Sequence, residues 1–169
     1  MAVSNESLEM AIDFEREGYD YYTDHKADAP NPFVEKVLEK LAERELEHID
    51  AIKEIAEGKC IADVEFETVD IEQTTKEVFN EFSKSEQEGW KDEKVTVYDH
   101  AIELEEKLAK LYRDLAKETE DEEEQEFFTA LMQEEDKHFE TLQNVFYYLT
   151  DHERWMAENE GEVWGWMNT

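Results

Sequence analysis

The chain has 169 residues, is 40% hydrophobic, and carries 48 acidic against 17 basic side chains, a formal net charge of -31. That length is one ordinary domain with room for a substantial core, while the charge opposes phosphate backbones and anionic lipid surfaces and so argues against nucleic acid and membrane as partners. Only five glycines and two prolines interrupt a sequence rich in glutamate and lysine, which predicts an all-α protein.

No apolar run approaches the roughly 18 residues that span a bilayer. The opening MAVSNESLEM lacks a basic segment followed by an apolar one, so the expected address is cytoplasmic. A first helix is expected from Asn5 or Ser7, either a suitable N-cap, to Ala27, ending where DAPNP places Pro30 and Pro32. A second runs from near Phe33 to Glu57 and stops at Gly58. Residues 58–96 carry β-branched side chains and read as a crossover with one short helix, DIEQTTKEVFNEFSKS. A third helix covers 97–117 and a fourth 122–149, preceded by an acidic run from Glu120 to Glu126 that suits a solvated turn and a helix N-terminus. The tail, 150–169, holds Trp155, Trp164 and Trp166, expected to cover an end of the bundle or to be buried in a homodimer.

The single cysteine, Cys60, excludes an internal disulfide, a cysteine zinc site and an iron–sulfur or rubredoxin-type centre built from this chain alone; it reads as a loop or core thiol. His25, His100 and His152 have no glutamate three residues before them and lie near helix ends, as surface or capping residues do.

An internal repeat carries most of the information. AIDFEREGYDYY at 11–22 aligns with AIELEEKLAKLY at 101–112, and with the same shift of 90 residues LAERELEH at 41–48 falls on LMQEEDKH at 131–138. Glu15 maps to Glu105, Tyr22 to Tyr112, Glu45 to Glu135 and His48 to His138. The chain reads as two copies of one helical hairpin.

All of these residues lie on apolar seams. The first helix reads Leu8, Ile12, Glu15, Tyr19, Tyr22, and the second Val34, Leu38, Leu41, Glu45, His48, Ile52, Ile55. The third reads Tyr98, Ala101, Glu105, Leu108, Tyr112, Leu115, and the fourth Phe128, Leu131, Glu135, His138, Leu142, Val145, Leu149. Glu15 and Glu45 are each about 15 residues from the turn at Pro30, so antiparallel helices rising about 1.5 Å per residue return them to one level. Glu105 and Glu135 do the same about Glu120. Each hairpin then sets Glu opposite Glu-x-x-His, and packing the hairpins by a pseudo-twofold gathers four carboxylates and two imidazoles.

Four buried carboxylates repel one another and lose hydration, at several kcal/mol per charge. Two divalent cations cancel the charge, and Glu from two helices with Glu-x-x-His from the other two is the donor pattern of di-iron and di-manganese bundles. A lone Glu-x-x-His is weak in so acidic a chain. Two copies in one register, each with its upstream Glu and Tyr, point to metal. Oxygen-rich coordination with one imidazole per ion suits iron, or manganese, rather than structural zinc.

AIDFEREGYDYY, LAERELEH, AIELEEKLAKLY and QEEDKH resemble the rubrerythrin-like branch of the ferritin-like superfamily over both hairpins, and YYLTDHERWMAENEG resembles the tail of its stand-alone members. The resemblance implies a ferritin-like four-helix bundle in which Glu45 and Glu135 bridge two metals, Glu15 and Glu105 are terminal ligands, and His48 and His138 bind one metal each. Tyr22 and Tyr112 would donate to carboxylates or serve as plain core. The third helix of rubrerythrin carries an extra glutamate one turn after the terminal ligand, tied to a redox-dependent ligand switch; that position is Leu108 here, and Gly18 in the first helix. The rubredoxin domain is also absent, so electrons would come from a separate rubredoxin-like or other reductase. Three functions follow as expectations: a di-iron oxidoreductase that reduces hydrogen peroxide or dioxygen, a ferroxidase or iron-handling protein, and a metal-free structural bundle.

Overall fold

The computed structural model describes residues 3–66, 77–78, 80–89 and 96–150. Helix α1 (Asn5–His25) is capped by Ser4, whose hydroxyl accepts from the Ser7 amide at 3.1 Å. The cap thus precedes the expected Asn5 or Ser7, because a serine one step ahead of the helix reaches the third free amide. The helix closes at His25, two residues before Ala27, and a 3-10 turn at Lys26–Asp28 leads into the prolines.

Helix α2 (Pro32–Ala56) starts on Pro32, whose missing amide hydrogen costs nothing in a first turn, and Asn31 accepts from the Val34 amide at 2.9 Å. It ends where Gly58, at φ 97°, turns left-handed. The Gly58 amide then donates to the Ile55 carbonyl at 2.9 Å and the Lys59 amide to that of Glu54 at 3.0 Å.

Helix α3 (Lys84–Gly89) is a short element of the crossover. Half of the expected helix over 70–85 lies outside the described residues, as do His152, Trp155, Trp164 and Trp166. Helices α4 (Thr96–Glu118) and α5 (Glu122–Thr150) agree with expectation to within a residue. Asp121 caps α5 by accepting from the amides of Glu123 and Glu124 at 3.0 and 3.1 Å. Among the described residues no strand occurs, and no helix is long and apolar enough to cross a membrane.

Helix α1 packs along α2 and α4 along α5, giving two hairpins. Their order in space follows from two apolar clusters. One joins Phe33, Val34 and Leu38, near the first turn, to Ala101, Leu142 and Val145 at the open end of the second hairpin. The other joins Leu8, Ile52 and Ile55, at the open end of the first, to Tyr112, Phe127 and Phe128 near the second turn. The hairpins therefore run in opposite senses, as a pseudo-twofold requires, and all four long helices form one bundle. The crossover spans its length: Val64 and Phe66 join the second cluster, whereas Val78 and Phe82 join the first.

The seam of α2 is buried as expected at all seven positions. In α1 it differs. The buried residues are Ser7, Leu8, Ala11, Glu15, Gly18 and Tyr22, with Ile12 and Tyr19 only half-buried. The helix turns Ala11 and Gly18 inward, and at Gly18 a neighbouring side chain comes close, as the centre shows. Leu115 is likewise half-buried, with Ala116 in the core.

Candidate metal centre

Between the two apolar clusters the bundle encloses Glu15, Glu45, His48, Glu105, Glu135 and His138, every one with no exposed surface. All six come from one chain, and each of the four long helices contributes. One donor atom from each of Glu15, Glu45, His48 and Glu135 lies within 4.8 Å of the other three, and the same holds for Glu45, Glu105, Glu135 and His138. Glu45 and Glu135 belong to both groups, while the other four belong to one each.

The imidazoles set the geometry. His48 Nδ1 is 2.9 Å from Glu15 Oε2, 3.5 Å from Glu135 Oε1 and 3.7 Å from Glu45 Oε2. His138 Nδ1 is 3.5 Å from Glu45 Oε1, 3.7 Å from Glu105 Oε1 and 3.8 Å from Glu135 Oε2. The two rings stack with centroids 5.1 Å apart and planes 5° from parallel, which brings α2 and α5 together at this level. Each imidazole thus faces three carboxylates through the same nitrogen.

The tyrosines cross between hairpins. Tyr22 on α1 donates its hydroxyl to Glu105 on α4, and Tyr112 on α4 donates to Glu15 on α1. Both hydroxyls are buried and point at carboxylates, so both side chains are core and donor at once. Burial, then the Glu105 or Glu15 charge, lifts each phenol well above its ordinary value and keeps it a donor.

Burial also governs the acids. It pushes Glu15 up to about 7 against the pull of His48, and with repulsion from Glu15 and Glu105 it raises Glu135 well above the carboxylate range. Burial would raise Glu45 as well, yet His138 and His48 together bring it below its ordinary value. Burial opposes charge on the imidazoles, but the carboxylates outweigh it: His48 rises well above its ordinary value, and His138 to about 10. Burial and mutual repulsion thus favour a proton on Glu15 and Glu135, and the carboxylates favour one on each imidazole, so a bound metal would compete with protons for these donors.

Protons leave the donors incompletely paired. Both oxygens of Glu45, both of Glu135 and Oε2 of Glu105 are buried without a hydrogen-bond partner. A buried acceptor so placed costs about 1–3 kcal/mol, and a cation within each group would supply the missing partner. Hard oxygen donors with one imidazole per group suit iron or manganese. The residues present fit such metals.

Two further residues shape the centre. Phe66, from the crossover, presents its ring edgewise to His48 at 6.4 Å and covers that flank; nothing in its local sequence marks it. Gly18 backs Glu45, since a Cβ on it would stand 3.2 Å from the Glu45 carboxyl carbon. That position had a signal, because the shift of 90 residues maps Gly18 onto Leu108, a seam residue of the third helix. Outside the centre, Cys60 is exposed beside the 3-10 turn Ile61–Asp63. His25 Nδ1 meets the Tyr21 carbonyl at 2.8 Å as a C-terminal capping residue does, and His100 is exposed.

A family model described as Rubrerythrin matches residues 6–146, a span that contains all six residues of the centre and both tyrosines. No curated protein and no solved structure matches the chain.

Proposed function

The chain belongs to the rubrerythrin family, and from that premise we propose that it is a cytoplasmic di-iron carboxylate oxidoreductase that reduces hydrogen peroxide or dioxygen. The observation that carries the reading is the sharing of Glu45 and Glu135 between two otherwise separate donor groups, the arrangement a bridged metal pair needs. In it Glu15 and His48 complete one position, and Glu105 and His138 the other. A ferrous pair held by these residues would supply the two electrons that, with two protons, convert peroxide to two waters.

The protein side of the chemistry follows from the residues. Tyr22 and Tyr112 hold the two terminal carboxylates from across the hairpin interface, and the apolar clusters above and below exclude bulk water. One exposed cysteine among these residues cannot build a rubredoxin-type centre, so the proposed electron source is a separate centre. A separate rubredoxin-like or other reductase is the proposed partner, and a homodimer the proposed assembly.

A specific observation favours a second reading. Buried Leu108 stands where rubrerythrin has its extra glutamate, and Gly18 at the matching position of α1, so neither side offers a spare carboxylate for a ligand switch. A site of that kind is closer to a ferroxidase. Anaerobic loading with ferrous iron, then rapid mixing with peroxide and separately with oxygen, distinguishes the two. Oxidation faster with peroxide is the expected result; oxidation no faster than with oxygen removes the peroxidase activity. Storage needs a closed shell, so a small oligomer by light scattering rules it out. Metal analysis is expected to find about two iron or manganese ions per chain, and none would leave a structural bundle.

A further inference from the structure

We propose that Gly18 is the positioning residue for the shared carboxylate Glu45, and that the bare helix surface it leaves is a requirement of metal binding; this rests on the metal reading above. Gly18 is buried in the middle of α1, one turn after Glu15. Glycine is the poorest helix former after proline, and nothing in the backbone needs it here, because a regular helix accepts any L-residue except proline. Space is what it provides. An added Cβ would stand 3.2 Å from Glu45 Cδ and 3.4 Å from both Cγ and Oε1, so the crowded atoms belong to the metal-binding end of the side chain.

The Glu45 oxygens also face the His138 Nδ1 at 3.5 Å and the His48 Nδ1 at 3.7 Å, and neither has a hydrogen bond to hold it elsewhere. The equivalent position in the second hairpin is filled by buried Leu108, so a side chain is compatible with the bundle at that level. The departure from the repeat coincides with the carboxylate that needs the space. A methyl at 18 displaces Glu45 by a few tenths of an ångström, which the metal-free cluster can absorb. A carboxylate fixed by two ions cannot.

The consequence is a pair of effects with opposite signs. In Gly18→Ala, the metal-free protein gains helix propensity and its Tm rises by about 1–4 °C. Its affinity for divalent metal falls by about 10- to 100-fold, the usual cost of disturbing a ligand's support. Both ions weaken together, because Glu45 belongs to both groups.

The test uses the full chain and divalent cobalt as an air-stable probe, titrated calorimetrically and by visible absorption, with Tm and far-UV circular dichroism of the metal-free forms. Leu108→Ala is the companion variant: it lowers Tm by opening a cavity and leaves cobalt affinity within about threefold of wild type. Weaker cobalt binding in Gly18→Ala with native helicity and an unchanged or raised Tm supports the proposal. Wild-type affinity in Gly18→Ala, or an equal loss in Leu108→Ala, overturns it while the metal reading stands. Folded wild-type protein that takes up no cobalt removes the metal reading and the role of Gly18 with it.

Discussion

The first hairpin and the second carry the same donors 90 residues apart, yet much of what surrounds those donors differs. Glu15, Tyr22, Glu45 and His48 repeat as Glu105, Tyr112, Glu135 and His138. Around them Phe14 becomes Leu104, Gly18 becomes Leu108, Tyr21 becomes Leu111 and His25 becomes Leu115. The ring of Tyr22 meets Tyr21 edgewise at 5.6 Å, and Tyr21 in turn stacks on His25 at 4.3 Å toward the helix end. Tyr112 instead lies among Phe14 and Phe128, each 6.3 Å away. Even an ion pair inverts: Arg44 pairs with Glu47 on α2, and at the equivalent positions of α5 Glu134 pairs with Lys137. Coordination fixes atoms to within tenths of an ångström, whereas a core is met by many residue combinations of suitable volume, and an i,i+3 pair works with either sign. The donors stay identical, and the packing does not.

If the halves are equivalent as donors, mutations should pair by role and not by hairpin. Glu45→Ala and Glu135→Ala each remove a residue common to both groups, so each should abolish binding of both ions. The loss should exceed the roughly 10- to 100-fold that disturbing a ligand's support costs. His48→Ala and His138→Ala each disturb one group and should leave one ion per chain. Metal content after gel filtration reads both. Retention of two ions in one histidine variant and none in the other would break the equivalence and show that one hairpin dominates the site.

The sequence exposes the donors so well because they violate the pattern that makes the helices. Ionisable residues on an apolar seam are conspicuous, and their recurrence at a fixed shift separates them from the many surface glutamates. Depth followed from helix rise and the position of the turns, and the structure brings together all six residues so located. Packing was less legible. Steps of three and four can be taken in either order through Leu8, Glu15 and Tyr22; bulk favours Ile12 and Tyr19, but the helix buries Ala11 and Gly18, and at Gly18 the nearby Glu45 carboxyl leaves no room for a large side chain. Phe66 reaches His48 from the crossover, a contact with no local periodicity to announce it. The Ser4 cap depends on where the first turn closes, which composition near the N-terminus leaves open by a residue or two.

A smaller effect sharpens the comparison at the tyrosines. Tyr22→Phe removes the donor to Glu105, and Tyr112→Phe the donor to Glu15, each leaving a buried oxygen unpaired at about 1–3 kcal/mol while the ring still packs. Because the bonds cross between hairpins, each variant should weaken the ion held by the opposite hairpin's terminal glutamate, by about 10- to 100-fold. Equal losses in the two variants, read by cobalt titration, would show that the differing neighbours Tyr21 and Phe128 do not matter to this bond.

The smallest expected effect concerns the ends of the bundle, where the halves differ most. Glu124, near the start of α5, accepts from the Ser4 amide at 3.0 Å, the Ser7 hydroxyl at 2.9 Å and the Thr119 hydroxyl at 3.0 Å, tying the N-terminus to the second turn. Its repeat partner is Val34, fully buried in the apolar cluster at the other end. The bonds from Ser4 hold the Glu124 carboxyl below its usual range. A depressed pKa means that the unfolded chain takes up the proton first. The tie therefore contributes fully above the ordinary carboxylate value and is lost as pH falls through the depressed one. Glu124→Gln should lower stability by about 1 kcal/mol or less at neutral pH, given its exposure to solvent, and by nothing once the wild-type carboxyl is protonated. Val34→Ala should lower it by an amount that does not change with pH, since no charge is involved. Thermal melts of wild type and both variants from neutral to acidic pH distinguish the two ends. A Glu124→Gln deficit that persists unchanged into acid would mean that geometry, and not the carboxylate charge, closes this end of the bundle.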